Sequence, residues 1–290
     1  MTSPLHASYY ADQASQQDVA IAENVELARD TYRLRFECPT MARRAVPGQF
    51  LMLRLAGVND PLIGRALALY DTVWIAGAPW GIDVVYLAKG KFTRRLAECR
   101  PGTRLTVWGP LGNGFPAAPA PEHLIMVAGG IGQTPFLALA TESVGARPYG
   151  DPPRSVTRAT NVTLCYGARS SEYLAGVEDF ERLGVEVRIS TDDGSRGHRG
   201  LVTDVLDQVL TTATGPRRIV TCGPEVMLQA VAKLAQRHQT PCQVSLETPM
   251  ACGIGICFSC VAKIQDARGD WDYKRTCVEG PVFDAASIAW

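Results

Sequence analysis

The chain has 290 residues, 46% of them apolar, and its 29 lysines and arginines balance its 29 aspartates and glutamates. Such length and composition exclude a disordered chain and suit two compact domains plus a small appendage. The even charge gives no electrostatic reason to expect nucleic acid or an anionic membrane as the main partner.

Residues 1–18 (MTSPLHASYYADQASQQD) have neither a basic start nor an apolar h-region. No later run reaches the about 20 apolar residues that span a bilayer, so a cytoplasmic location without membrane attachment is the expectation. Short β-prone runs follow at Tyr32–Cys38, Phe50–Leu55, Val73–Ala76, Val84–Leu87 and Leu105–Trp108, separated by Gly/Pro turns. They predict a small antiparallel barrel over residues 17–117, interrupted by a helix at Thr93–Glu98. Within it, Pro61–Ala68 places Arg65 at a strand start, and Tyr86–Thr93 runs into the helix. Guanidinium and helix-end amides can both address a pyrophosphate, although each feature alone also reads as a surface arginine or a plain helix cap.

The PAAPAPE stretch at 116–122 reads as an interdomain linker. Over 122–243 the texture changes to apolar strands (Leu124–Ala128, Val162–Tyr166, Val185–Ser190, Arg218–Cys222) alternating with helical stretches (Thr134–Glu142, Leu174–Leu183, Val202–Leu210, Pro224–Arg237). This alternation predicts a doubly wound, mainly parallel sheet. The proline-rich residues 146–160 read as an extended surface loop.

After the first of these strands comes Gly129-Gly130-Ile131-Gly132-Gln133-Thr134-Pro135. Thr134 is suited to cap the next helix and Pro135 to open it. Glycines let such a turn pass close to a ligand, and the helix start offers free amides and a positive dipole end. Many strand–helix turns are merely tight, and this one departs from G-x-G-x-x-G by ending in proline. Strand-end loops of this fold hold ligands, which brings in Tyr166–Ser170, Thr191–Gly194 and Cys222-Gly223-Pro224. Arg169 reads either as a contact to ribose or phosphate or as a solvated arginine. Cys222 reads either as a neighbour of a nicotinamide or as a buried thiol.

Nine cysteines are an odd number, and four of them crowd into residues 252–277, which favours metal over disulfides. Cys38, Cys99, Cys165, Cys222 and Cys242 stand singly, and most of them read as small buried hydrophobes. Cys252, Cys257 and Cys260 are spaced C-x4-C-x2-C, with Cys277 after 16 intervening residues. This is the plant-type spacing of a 2Fe–2S cluster, in which the wide first loop wraps the core and the C-x2-C pair is expected to clamp one side. Gly253 and Gly255 would let backbone amides approach the sulfurs. Val261–Gln265, Asp266–Asp270 and Trp271–Thr276 predict a hairpin that returns Cys277 to the others. A four-cysteine zinc site usually pairs two C-x2-C knuckles, and only one is present. The segment 244–290 holds too little apolar sequence for its own core, so metal is expected to organise it.

Taken together, the Pro61–Ala68 and Tyr86–Thr93 segments, Gly109–Phe115, the glycine elbow, the Cys-Gly-Pro turn and the cysteine spacing resemble the ferredoxin-reductase-like superfamily. Within it they resemble the electron-transfer subunits of NAD-dependent dihydroorotate dehydrogenases. The likeness covers residues 17–285 in consistent order, and MACGIGxCxxC with the closing Cys277–Phe283 (CxxGPVF) is its most specific part. The resemblance implies FAD on the barrel at Arg65, Ala66, Leu67, Ala68, Val85, Tyr86, Leu87, Phe92 and Thr93. It implies NAD as substrate on the second domain, at Gly130, Gly132, Pro135, Arg169, Cys222, Gly223 and Pro224, and a cluster on Cys252, Cys257, Cys260 and Cys277. Alanine at 68 and phenylalanine at 92 depart from the family's usual serine or threonine and glycine.

Nicotinamides exchange electron pairs and a 2Fe–2S cluster exchanges single electrons, so a flavin between them is chemically required. The expected protein is an oxidoreductase subunit running from NAD through FAD and the cluster to an external partner. By resemblance that partner is an FMN-containing dihydroorotate dehydrogenase catalytic subunit of pyrimidine biosynthesis, in a heterotetramer. Other acceptors, such as an oxygenase, a hydrogenase or a ferredoxin, fit the same motifs, and a zinc-stapled binding protein is a more distant alternative.

Overall fold

The computed structural model describes residues 11–117, 122–266 and 268–290. The first ten residues of the 1–18 stretch, residues 118–121 of the expected linker and residue 267 of the expected turn lie outside the described residues.

Six antiparallel strands close a barrel: β1 (Ser15–Ala28), β2 (Thr31–Glu37), β3 (Phe50–Leu55), β4 (Arg65–Ile75), β5 (Ala78–Leu87) and β6 (Arg104–Leu111), in the order β1-β2-β5-β4-β3-β6 with β6 pairing back to β1. Alternation explains the inside: Leu34 and Phe36 of β2 are buried among Leu51, Leu53, Ile82 and Val84, while Arg33 and Arg35, alternating with them, face outward onto Glu23 and Asp83. Closure removes the unpaired edges that would invite aggregation. Helix α1 (Pro39–Arg44) and helix α2 (Lys91–Ala97) plug the barrel through Met41, Ala42, Phe92 and Leu96. Helix α2 opens at Lys91, ahead of the expected Thr93, because Thr93 Oγ accepts from the backbone amides of Gly90 (3.0 Å) and Lys89 (3.1 Å). Strand β1 escapes sequence reading because SQQDVAIAENVELA is polar at most positions and buries only Val19 and Ile21 fully.

The second half is built on parallel strands β7 (His123–Gly129), β8 (Asn161–Ala168), β9 (Glu186–Thr191), β10 (His198–Arg199), β11 (Arg217–Cys222) and β12 (Cys242–Ser245). Helices α3 (Phe136–Ser143) and α4 (Val177–Glu181) cover one face, and α5 (Val202–Thr212) and α6 (Glu225–Arg237) the other. Strand β7 shows how one sequence serves both faces. Leu124, Met126 and Ala128 join Phe136 and Phe180, whereas Ile125 and Val127 join Leu206 and Val231.

After β12 the chain makes the hairpin β13 (Val261–Gln265) and β14 (Trp271–Arg275), as expected, and then returns as β15 (Val282–Asp284), antiparallel to β12. The sheet order is therefore β10-β9-β8-β7-β11-β12-β15. The cysteine segment is thus tied to the sheet at both ends. The barrel end is tied in as well, since Asn113 Nδ2 donates to Val282 O at 2.8 Å and Asn113 N to Gly280 O at 2.7 Å.

Three local expectations need correction. Thr134 does not cap α3: Gly130–Gln133 tightens into a 3-10 turn that uses Thr134 N (to Ile131 O, 3.2 Å), and α3 starts at Phe136 after Pro135. Helix α4 spans less than the expected 174–183, because Gly176 sits in the left-handed region (φ 70°) and the chain before it is extended. Residues 146–160 are not merely a surface loop, since Tyr149 is buried in the barrel core.

Candidate functional site

Two cavities lie where the barrel meets the carboxyl edge of the sheet. The larger, about 880 Å³, is a cleft reached by Gly130 and Ile131 of the elbow, Arg169 after β8, Asp192 after β9, and Gly223 and Pro224 after β11. The barrel contributes Leu87, Ala88 and Lys89 to its other wall. This is the strand-end position where open α/β sheets bind dinucleotides. Gly130 sits at φ 54°, and a Cβ there would meet nothing within 4 Å, so the turn offers bare backbone to the cleft.

The smaller cavity, about 270 Å³, is walled by Ala66, Leu67 and Ala68 of β4, by Val85, Tyr86 and Leu87 of β5, by Thr93, and by Thr134, Pro135 and Cys222. The β4–β5 ladder begins at Leu69 and Val84, so the two barrel trios stand where the ladder stops, Ala66, Leu67 and Ala68 pairing with β3 instead. Leu87, Ile131 and Glu247 line both cavities, so the two share a wall.

Not every expected residue reaches a cavity. Arg65 is exposed and turns its guanidinium back on the carbonyls of Ile63 (3.0 Å) and Gly64 (3.1 Å). The Phe92 ring is fully buried in the barrel core, leaving only main chain to a ligand. Gly132 lines neither cavity. A Cβ on it would stand 2.2 Å from Cys222 O, so this glycine lets the elbow and the Cys-Gly-Pro turn lie against each other.

Sequence reading missed Ser245, Leu246 and Glu247, because it missed β12 itself. The strand-end rule would have found them once β12 was recognised. Glu247 is exposed to the space of the two cavities it lines, and partial desolvation by the surrounding protein raises its carboxyl above the usual range, with Lys89 opposing. Full burial pushes the Cys222 thiol well above its ordinary value, so it stands as a neutral thiol. Tyr86 likewise stays a phenol: burial dominates, and its hydroxyl donates to Asn24 Oδ1 at 2.9 Å.

The four expected cysteines come together beyond the smaller cavity, but not in the expected pairing. Cys257 lies in hydrogen-bonding reach of Cys252, and Cys260 of Cys277. The C-x2-C pair is therefore split. The cause is Thr276, whose N (2.8 Å) and Oγ (3.0 Å) both donate to Cys260 O and draw Cys277 alongside Cys260. Among the described residues no three His, Cys, Asp or Glu side chains are gathered closely enough to hold a metal ion as they stand. Two pairs of thiols suit a two-iron cluster, which takes two thiolates on each iron, better than a mononuclear zinc site. The loop is docked on the barrel: Trp108 Nε1 donates to Cys252 O at 2.9 Å, and a Cβ on Gly253 (φ 73°) would stand 2.7 Å from the Met52 side chain. Phe50, Met52, Leu111, Cys260, Cys277 and Val278 form one apolar cluster, with Ala66 and Met250 against it.

Comparison with known proteins agrees with this geometry. Residues 18–115 match the oxidoreductase FAD-binding domain, 126–233 the oxidoreductase NAD-binding domain, and 247–289 the iron-sulfur cluster binding domain of dihydroorotate dehydrogenase B. The dihydroorotate dehydrogenase B (NAD(+)) electron transfer subunit of Desulforamulus reducens is 33% identical over 91% of this chain and 94% of its own. That of Geobacillus kaustophilus is 33% identical over 94% and 98%. A solved NADH-dependent reduced ferredoxin-NADP oxidoreductase superposes with a TM-score of 0.77 at 27% identity, covering 94% of this chain and 90% of that one. The ferredoxin reductase of carbazole 1,9a-dioxygenase shares the fold, with a TM-score of 0.63 at 20% identity, over 79% of this chain and 67% of that one. Among the described residues no helix is long and apolar enough to cross a membrane. The chain belongs to the family of NAD-dependent dihydroorotate dehydrogenase B electron transfer subunits, oxidoreductases with an FAD-binding barrel, an NAD-binding sheet and an iron–sulfur segment.

Proposed function

We propose that the chain exchanges hydride with NAD(H) in the large cleft and passes single electrons, in either direction, through the cysteine loop to an FMN-containing dihydroorotate dehydrogenase catalytic subunit. The two chains would work as a cytoplasmic heterotetramer in pyrimidine biosynthesis. The observation that carries this reading is continuity. The large cleft shares Leu87, Ile131 and Glu247 with the smaller cavity, whose Phe50, Ala66 and Met250 belong to the apolar cluster around Cys260 and Cys277. Flavin bound in the smaller cavity supplies the conversion between paired and single electrons.

In this reading Gly130, Gly223 and Pro224 present backbone to the dinucleotide, and Arg169 takes a ribose or phosphate. Cys222 stands as a neutral thiol beside the nicotinamide, with Pro135 on the flavin side of the elbow and Gly132 allowing the close approach of the two loops. Ala66, Leu67, Ala68, Val85, Tyr86, Leu87 and Thr93 hold the flavin, helped by Phe92 through its main chain. Arg65 reaches the pyrophosphate by exchanging its two loop carbonyls for phosphate oxygens. Cys252, Cys257, Cys260 and Cys277 are the cluster ligands, and a thiolate set of this kind suits a reducing compartment. Ile256 and Phe258, exposed beside the ligands, supply apolar area for the partner contact.

Reconstitution tests the partner. Mixing the chain with the FMN subunit from the same organism is expected to give NAD-linked dihydroorotate oxidation that neither chain shows alone. Turnover of dihydroorotate by the isolated, FMN-free chain, or failure of that partner to bind, would contradict the proposal.

A further inference from the structure

The segment between α3 and β8 is longer than a connection requires. Ala159 N donates to Ser143 O at 2.8 Å, so the ends of the excursion already touch, and residues 144–158 depart from the sheet and come back. What they reach is the barrel. Arg147 pairs with Asp71 of β4, and Tyr149 donates its hydroxyl to the same carboxylate oxygen. Arg147 also donates to the Tyr149 hydroxyl at 3.0 Å and lies over the rings of Trp74 (5.9 Å) and Tyr149 (5.4 Å). The Tyr149 ring itself is buried in the barrel core with Leu34, Phe36 and Leu69. A second arm closes further on. Arg154 grips Glu142 of α3 through Nε (2.7 Å) and Nη2 (2.5 Å), and donates from Nη1 to Phe115 O, at the exit of the barrel, at 2.6 Å.

Both anchor points matter for the cofactors. Strand β4 carries Ala66, Leu67 and Ala68 of the flavin wall, and α3 continues directly from Thr134 and Pro135 of the elbow. We propose that residues 144–158 are a clamp that fixes the nicotinamide half on the flavin barrel, and that Arg147, Tyr149 and Arg154 are positioning residues for hydride transfer. The proposal rests on the cofactor placement given above. Its physical basis is that hydride transfer needs reacting atoms about 3–3.5 Å apart, so an angular drift between the halves that leaves each cavity intact still separates them. Bidentate pairing of Arg154 with a carboxylate and shared pairing of Asp71 restrict that drift more than apolar contact alone, which tolerates sliding.

The test compares the FAD- and cluster-loaded parent with Arg147→Gln, Tyr149→Phe and Arg154→Met, measuring flavin and iron per chain and flavin reduction by NADH in single turnover. Hydrogen–deuterium exchange of residues 68–74 and 144–160 gives a readout independent of turnover. With both cofactors retained, the limiting reduction rate is expected to fall about tenfold or more, because a misplacement near 1 Å costs up to about 100-fold. The NADH concentration at half-saturation should move less than about threefold, since both faces of the cleft persist, and exchange in the two segments should quicken. Arg147→Lys should recover part of the rate. If Arg147→Gln or Arg154→Met fails to fold, Tyr149→Phe decides, because it keeps the ring that fills the barrel core and removes only the hydroxyl. Parent-like rates and exchange in Tyr149→Phe would overturn the clamp. A parent that bound no FAD would overturn the cofactor placement and the clamp with it.

Discussion

The glycine elbow at 129–135 and the cysteine loop at 250–260 are both proposed to present backbone to a cofactor, yet they are held in opposite ways. The elbow grows out of β7, which is paired on both sides by β8 and β11, so its position is set by a hydrogen-bonded ladder whether or not a ligand is bound. The cysteine loop contains no regular secondary structure. It is held from outside, by Trp108 and Met52 of the barrel and by Arg275, whose Nη1 donates to Gly255 O at 3.0 Å. A ligand site on a ladder is preformed, whereas one suspended on a few side chains needs its metal to complete it.

That contrast predicts the largest effect at the loop. Cys257→Ser replaces a thiolate with a far poorer iron ligand, so iron per chain should drop to near zero while flavin per chain stays at the parental level. Loss of flavin together with iron would mean that the two sites are not separately held.

At the elbow, damage should come from the backbone rather than from a ligand. Gly132→Ala drives a Cβ to within 2.2 Å of Cys222 O, and overpacking of this kind costs about 1–3 kcal/mol or more. Gly130→Ala meets no neighbour and pays only for its left-handed φ of 54°, on the order of 1–2 kcal/mol. Thermal unfolding of the two variants should therefore rank Gly132→Ala as the less stable. The reverse order would show that the elbow is not pressed against the Cys-Gly-Pro turn.

Trp108→Phe removes one hydrogen bond from the barrel to the loop and keeps most of the ring. A loss of about 0.5–1.5 kcal/mol is expected, felt as faster iron release to a chelator with unchanged flavin binding. A release rate equal to the parent's would mean that the loop is docked by apolar contact alone.

The smallest effect concerns pH and the ladder. His123 opens β7 with its Nε2 2.8 Å from Thr163 Oγ, and burial lowers its pKa below the model-peptide value near 6.5. The unfolded chain therefore binds the proton more readily than the native one. The stability tied to neutral His123 is complete above about pH 6.5 and is lost as pH falls through the lowered native value. Between pH 7.5 and 5.5, His123→Gln should lose less melting temperature than the parent, and an equal loss would place the acid sensitivity elsewhere.

How far the sequence carried the account differs between the same two regions. The grouping of the four cysteines was legible because their spacing is written in a short stretch of sequence, and the β7 elbow because apolar strand, glycine turn and helix follow one another. The pairing of Cys260 with Cys277 was not legible, since it depends on Thr276 reaching across to Cys260 O, a contact made only after the hairpin folds. Glu247 was missed because β12 has four residues and no periodicity to read. Strand β1 was missed because its buried side chains are too few to stand out. The excursion at 144–158 looked like surface because proline and arginine usually are, and only its reach to Asp71 and Phe115 on another element reveals its burial.

The most direct test of the central claim, that one chain joins a nicotinamide cleft to a flavin cavity and on to a cysteine-held cluster, is anaerobic addition of NADH to the isolated loaded chain. Visible absorbance and low-temperature electron paramagnetic resonance are followed on the same samples. The account predicts that flavin absorbance bleaches and that the signal of a reduced 2Fe–2S cluster appears in the same preparation, approaching one spin per chain at excess NADH, with no partner present. Bleaching of the flavin while a fully iron-loaded cluster stays silent would contradict it, because the two sites would then be neighbours without being connected.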